Sequence, residues 1–394
     1  MKLIYLDNNA TTCITPEVLE EMLPYLKELY GNPSSMHTFG GQLRKRIEEA
    51  RARVAKLLNA EPEEIIFTSC GTESDNTAIM SAVESLPQKK HIVTSVVEHP
   101  AVVNFCKYLE RKGYRTTFIP VDKQGRLRLD EFSKAIDDDT AIVSLMYANN
   151  ETGVIFPLME IGELLRERGV LFHTDAVQAV GKIPIDLKKL PVDMLSLSGH
   201  KLHAPKGVGA LYVRKGTRFH SYIIGGHQEN GRRAGTENAA SIAGLGKACE
   251  IAGENLYKER PYLKGLRDKL ETALLKLCPD ARINGDTENR LPNTTNISFE
   301  YVEGESILLK LNEFGVCASS GSACTSGSHE PSHVLMAMDV PPAAIHGSIR
   351  FSLSRYNTEA EVKKVIEIMP GIIKELRKLS PTSLEFLASS RKDT

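Results

Sequence analysis

The chain has 394 residues, 41% hydrophobic and 25% charged, with 49 Lys and Arg against 50 Asp and Glu. That balance argues against a nucleic-acid partner or an anionic membrane surface, and no apolar run approaches membrane-spanning length. Seven cysteines at irregular spacing, with an opening MKLIYLDNNATT that reaches Asp7 before any apolar signal core forms, point to a reducing, cytoplasmic setting.

The length predicts two to three domains. Thr15 before Pro16 reads as the N-cap of a helix over 16–29, residues 31–35 as a loop, and 41–58 as a longer amphipathic helix. Strands then alternate with helices: strands at 65–68, 91–95, 116–119 and 141–146, helices at 73–85, 101–112, near Asp130 and at 158–168. Such alternation predicts an α/β fold, its mainly parallel sheet covered by helices on both faces. Apolar runs at 170–172, 194–197 and 208–213 extend the sheet. A helical pattern over 241–277 is interrupted at Pro261, which sets the main boundary. The expectation is a large domain over 16–260 and a smaller α+β domain built from 1–15 and 261–394, with strands at 294–299 and 348–353. The final SSRKDT reads as a loose tail.

The stretch 170–213 carries the strongest chemical signal. One apolar run ends in His173-Thr174-Asp175 and the next in Ser198-Gly199-His200-Lys201, so both deliver polar residues at strand ends, where open α/β sheets place ligands. An acid and a lysine so placed suit pyridoxal phosphate (PLP): the lysine forms a Schiff base and the acid keeps the pyridine nitrogen protonated. Ser198 and His200 beside the lysine suit a phosphate, and Gln178, shortly after Asp175, is placed to reach the same ligand. The alternative is a pair of surface charges at loop entrances.

Other stretches support either a functional or a structural reading. Gly71 and Thr72 follow a strand and open a helix, as a phosphate cradle or as a Thr N-cap. His99, at a strand end before Pro100, can stack on a planar cofactor, move a proton or be structural. Asn149-Asn150 can form a turn, or Asn150 can reach cofactor and substrate. Thr236, in a glycine-punctuated basic loop, can serve a phosphate or lie in a surface loop. Arg350, inside an apolar strand, needs an anion: a substrate carboxylate or a structural ion pair. Cys324 lies among small residues in a segment over about 317–329, which suits a mobile nucleophile. His329 and His333 lie near it, at spacings that match no standard zinc pattern. Cys13, Cys70, Cys106, Cys249 and Cys278 read as packing residues.

Taken together, YLDNNATT, YGNPSSMHTFG, TESDN, NNETGV, HTDAVQ, SGHK, PKGVGALYV, AGTENAA, SSGSACTSG and IRFSLSRYNT resemble the cysteine desulfurases of the NifS/IscS type nearly end to end. These belong to the class V aminotransferases of the fold-type I PLP enzymes. The resemblance implies a sulfurtransferase that converts L-cysteine to L-alanine, leaving a persulfide on Cys324. It implies Lys201 as Schiff-base lysine and proton acceptor, Asp175 at the pyridine nitrogen, Gln178 at the ring hydroxyl and His99 over the ring. Gly71, Thr72, Ser198 and His200 would hold the phosphate, with Thr236 supplied by the other subunit of a homodimer. Asn150 and Arg350 would hold the substrate carboxylate. The sulfur acceptor implied is an iron–sulfur scaffold protein, Cys324 meeting a cluster only during delivery and no resident metal being expected. The ending LSPTSLEFLASSRKDT leans toward the nitrogenase-related branch. Cys70-Gly71 departs from the Gly-Gly or Gly-Ala common in relatives. Rival readings are a selenocysteine lyase or other class V lyase, independent of Cys324, and a metal- or cluster-binding scaffold using Cys324, His329 and His333.

Overall fold

A computed structural model describes residues 3–320 and 331–379. Its centre is a seven-stranded sheet in the order Ile65–Thr68, Gly209–Val213, Met194–Ser198, Leu171–Asp175, Thr140–Met146, His91–Ser95, Arg115–Ile119. The last five of these run parallel to one another, while Gly209–Val213 runs antiparallel to both its neighbours. The expected mixed, mainly parallel sheet is therefore present. Its strands are buried throughout their length except at Arg115–Ile119 on the edge and at Leu171. This burial explains their continuous apolar runs.

Helices cover both faces. On one side Ile47, Val54 and Leu58 and the Leu158–Arg168 helix join a large apolar cluster with Phe67, Val143, Phe172 and Leu195. On the other, Ile79, Val83, Val102 and Phe105 pack on Ile66, Ile92, Ile142 and Leu211. A third cluster contains Phe299, Phe351, Leu311 and Met369 around a three-stranded antiparallel sheet, Ser348–Ser352, Thr294–Phe299, Ala281–Ile283. Ile4 and Leu6 of the N-terminal segment pack there too, and Ile4–Tyr5 pairs in parallel with Val316–Cys317.

The interruption expected at Pro261 does not occur. One 39-residue helix, Ala239–Leu277, runs through it. A mid-helix proline costs about 3 kcal/mol through its missing N–H and ring clash. Each of Leu263, Leu266, Leu270 and Leu274 is buried beyond it, worth roughly 1.5–3 kcal/mol apiece. Tyr257, whose carbonyl would otherwise accept from position 261, is exposed, so that oxygen can meet water. Burial outweighs the local penalty. The second helix also starts earlier than expected, at Thr38, because His37 caps it: Nδ1 accepts from Gly40 N at 3.0 Å. Thr15 caps the first helix as expected. Among the described residues no helix is long and apolar enough to cross a membrane.

Candidate active site

Strand register sets the site. Thr68 pairs with Gly209, Gly209 with Ser198, and Asp175 with both Ser196 and Met146, so these strand ends share one edge of the sheet. A cavity of about 300 Å³ opens there. Its wall brings together Gly71, Thr72, His99, Asn150, Asp175, Gln178, Ser198, His200, Lys201 and Arg350, residues spread over most of the sequence. Such convergence is the expected place for a ligand in an α/β sheet.

Lys201 Nζ donates to the carbonyl oxygens of Asn9 and Ala10 at 2.6 and 2.7 Å. Asp175 is buried and accepts from Val177 N at 2.9 Å. Burial raises its pKa, against the pull of His99, the Val177 N–H and Lys201. His99 caps the Pro100–Glu110 helix, its Nδ1 accepting from Ala101 N at 3.1 Å. That bond leaves the proton of a neutral ring on Nε2, and burial favours the neutral form. Burial, then Lys201, Lys206 and Lys182, likewise lower His200 to about 4.

The end of the cavity lined by Gly71, Thr72 and Ser198 has the features an anion requires. The helix Gly71–Ser85 starts at Gly71 with Cys70 as its N-cap, so Thr72 is inside the first turn and the Thr-cap reading is wrong. Unpaired amides and the helix dipole favour an anion at this end. Ser198 Oγ is buried with no protein partner, the orphan that a phosphate oxygen would satisfy. A Cβ on Gly71 would come within 2.8 Å of Val177 Cγ2 and 3.6 Å of Ser198 Cβ, so only glycine keeps the backbone this close.

Adjacent asparagines divide the two roles proposed for them. Asn149 Oδ1 makes the turn, accepting from Glu151 N and Thr152 N, each at 2.9 Å. Asn150 lines the cavity, and its carbonyl accepts from Arg350 Nη1 at 3.0 Å. Arg350 is buried and pairs with Asp7 through Nη2 at 2.8 Å, while its Nε has no protein partner. The ion pair is thus real, and one donor edge remains open.

One predicted residue among those described is not in this cavity. Thr236 lines a separate cavity with Ser69, Glu229 and Arg233. Its loop is tied to the main chain by Arg233 on Glu73, at 2.8 Å, and by Glu229 on Arg51, at 2.6 Å. Cys324 lies outside the described residues, as do His329 and the C-terminal LSPTSLEFLASSRKDT beyond Leu379. His333 bonds to the carbonyl of Glu98 at 3.0 Å. No group of three or more metal-binding side chains occurs among the described residues. The packing assignment holds for Cys106, Cys249 and Cys278, which are buried. It fails for Cys13, which is exposed in a loop, and for Cys70, which lines the cavity.

Several wall residues escaped the sequence reading. Asn9 and Ala10 hold Lys201, although the DNNATT motif carrying them had been noticed. Asp75 lines the cavity with one carboxylate oxygen unpartnered, and 3.7 Å separates its Oδ1 from His173 Nε2. Burial and the neighbouring Asp175 push its pKa well up.

A parallel sheet ending in this set of lysine, acid, histidine and phosphate-seat residues has the make-up of a class V aminotransferase. The family model described as aminotransferase class V matches residues 4–365, and the chain belongs to that family. It is 60% identical to a cysteine desulfurase of Trichormus azollae, over 97% of this chain and 95% of that one. It is 58% identical to the cysteine desulfurase NifS of Azotobacter vinelandii, over 96% and 94%. A solved structure titled NifS-like protein superposes with a TM-score of 0.90 at 41% identity, covering 95% of this chain and 100% of the other. Within the family the chain is a cysteine desulfurase of the NifS type.

Proposed function

We propose that the cavity seats PLP and L-cysteine together, and that the sulfur leaves on Cys324. The observation that carries this is the convergence of Lys201, Asp175, Ser198 and Arg350 on one cavity, with Ser198 Oγ and Arg350 Nε unpartnered. Lys201 would carry the cofactor, Asp175 would meet the pyridine nitrogen and Gln178 the ring oxygen. His99 would cover the ring, while Gly71, Thr72, Ser198 and His200 would hold the phosphate. When bound, PLP supplies an electron sink for the charge left at the substrate Cα.

The chain's own residues do the rest. Arg350 and Asn150 orient the substrate carboxylate. Lys201, whose Nζ is held at the cavity wall by the carbonyls of Asn9 and Ala10, would accept the Cα proton. Cys324, as thiolate, attacks the substrate sulfur: the substrate C–S bond breaks, an S–S bond forms, and proton return to the carbon skeleton gives L-alanine. Ser319, just before the segment that carries Cys324, exchanges backbone bonds with Arg350 at 2.6 and 3.2 Å, and Ser332, just after it, donates to Glu151 at 2.6 Å. One flank is thus paired with the wall residue Arg350 and the other is bonded to Glu151, next to the wall residue Asn150, which supports Cys324 as the acceptor.

A homodimer with Thr236 supplied across the interface is supported by its position outside its own chain's cavity. Sulfur delivery to an iron–sulfur scaffold, in a nitrogenase-related setting, is supported by the NifS relative. Six free cysteines among the described residues favour a reducing, cytoplasmic location. The test is anaerobic incubation of the protein with L-cysteine and a reductant, measuring sulfide and alanine together. Equal amounts, both lost in Cys324→Ala, are expected. Alanine formed at the normal rate by Cys324→Ala would remove the persulfide role.

A further inference from the structure

Gln178 sits between two partners of opposite character. Its Oε1 accepts from Lys182 Nζ at 2.7 Å, and its Nε2 donates to the carbonyl of Asn9 at 3.0 Å. The two ends of a carboxamide have the same shape, so only its partners decide which end points where. A backbone carbonyl can only accept, and an ammonium can only donate. Reversing the amide would set oxygen against oxygen at Asn9 and donor against donor at Lys182. One orientation therefore survives, with the second Nε2 hydrogen left for the cavity that Gln178 lines.

We propose that Lys182 is a positioning residue that fixes Gln178 as a hydrogen-bond donor toward the cavity, so that the site selects a ring bearing an acceptor oxygen there. The inference rests on the reading of the cavity as a PLP seat, and it assigns the recognition of the ring's phenolic oxygen to a Lys182–Gln178 pair. Asn9 ties this pair to the reactive lysine. Its carbonyl accepts from both Gln178 and Lys201, and its Oδ1 accepts from Lys182 at 3.5 Å and from Asn293 at 3.2 Å. Behind them lies a small chamber of about 40 Å³ whose wall includes Lys182, Lys201, His203, Glu259 and Arg355. Burial, Lys201 and Arg350 lower the Lys182 pKa to about 7. An uncharged amine still donates to Oε1, and although it can also accept, the Asn9 carbonyl continues to exclude the reversed amide, so the orientation holds on both sides of that titration.

The test compares two ligands on the apoprotein: PLP and its analogue lacking the ring hydroxyl. Binding is followed by equilibrium dialysis for wild type, Lys182→Met and Lys182→Arg. Wild type is expected to prefer PLP. Lys182→Met should bind PLP about tenfold more weakly and the analogue unchanged, losing the preference, as the loss of a charge-assisted bond predicts. Lys182→Arg, which keeps a donor, should retain it. Should Lys182→Met not fold, Lys182→Leu, which also lacks a donor, replaces it under the same criterion. Lys182→Met binding that is weakened equally for both ligands, or that keeps the wild-type preference, overturns the role of Lys182. Wild type that binds neither ligand overturns the PLP seat itself, and this inference with it.

Discussion

The carbonyl oxygen of Asn9 accepts from Lys201 Nζ at 2.6 Å, across 192 positions of the chain. Asn9 also bonds through its own amide to Thr294 Oγ1 at 2.9 Å and to the carbonyl of Asn150 at 3.2 Å. The N-terminal segment therefore joins Lys201 to the turn at Asn150 and to the C-terminal sheet. Lys201 is held there by two backbone carbonyls, those of Asn9 and Ala10.

If Lys201 carries the cofactor, Lys201→Ala should bind PLP only reversibly. Borohydride should no longer fix the cofactor to the protein, as read by intact mass, and turnover should fall by on the order of a hundredfold or more. A borohydride-stable adduct in the variant would move the attachment to another lysine, Lys182 being the nearest candidate on the shared chamber wall.

Arg350 holds Asp7 and the Asn150 carbonyl while leaving Nε open. Arg350→Lys keeps the charge but not the planar fork, so the substrate carboxylate should be bound less well. The expected result is a KM for L-cysteine raised by about tenfold or more with kcat changed much less, measured by alanine formation. An unchanged KM would leave Arg350 as the partner of Asp7 alone.

Much of this site could be read from letters because it lies at strand ends. Asp175, Ser198, His200 and Lys201 follow short apolar runs, and the period of those runs identifies the edge where they emerge. Asn149 and Asn150 could not be separated, because one turn signal covers both and only the coordinates show which side chain closes it. Asn9 and Asp75 were invisible as wall residues for different reasons. No local pattern tells that position 9 meets position 201, and an acid in a first helical turn has an ordinary explanation in the helix dipole. The helix through Pro261 is not legible locally, because the tertiary burial that overrides the proline's low propensity comes from residues distant in sequence.

Asp175 and Asp75 line the same cavity, and both are buried. Asp175 ends a strand, and the charges of His99 and Lys201 oppose the burial that raises its pKa. Asp75 is raised by burial and by Asp175, which favours its protonated form. A neutral acid is imitated well by an amide. Asp75→Asn should therefore keep turnover within about tenfold, whereas Asp175→Asn should lose on the order of a hundredfold or more. Steady-state alanine formation with saturating PLP separates the two, and equal losses would contradict the division of roles.

Thr236 lies apart from its own chain's cavity, on a loop fixed by Arg233–Glu73 and Arg51–Glu229. If it serves a partner's phosphate seat, mixing Thr236→Val with Lys201→Ala subunits should create hybrids with one wholly intact site. PLP should leave that site at the wild-type rate and leave the Thr236→Val homodimer about tenfold faster. Stopped-flow exchange against an apoprotein trap reads both rates. Hybrids that release PLP as fast as the Thr236→Val homodimer would assign Thr236 to its own chain.

Glu98 gives a prediction about stability rather than turnover. It is fully buried, its Oε1 accepting from Ser95 Oγ at 2.6 Å and from Met146 N at 3.0 Å, its Oε2 without a partner. Burial raises its pKa from the ordinary 4.5 to about 8. Between those values the folded protein holds a proton that the unfolded chain has released. The contribution is therefore fully present below pH 4.5 and is lost as pH rises toward 8. Glu151, raised to about 7, acts with the same sign. The lowered values of His173 and His200 act with the opposite sign but are common to wild type and variant. Glu98→Gln keeps the acceptor for Ser95 and Met146 and cannot ionise. From pH 5 to 7 the apoprotein's melting temperature should fall more steeply in wild type than in Glu98→Gln, so that the difference between them narrows or reverses. Calorimetric scans across that window read the difference directly, and parallel curves would show that Glu98 ionises in the folded protein at its ordinary pH.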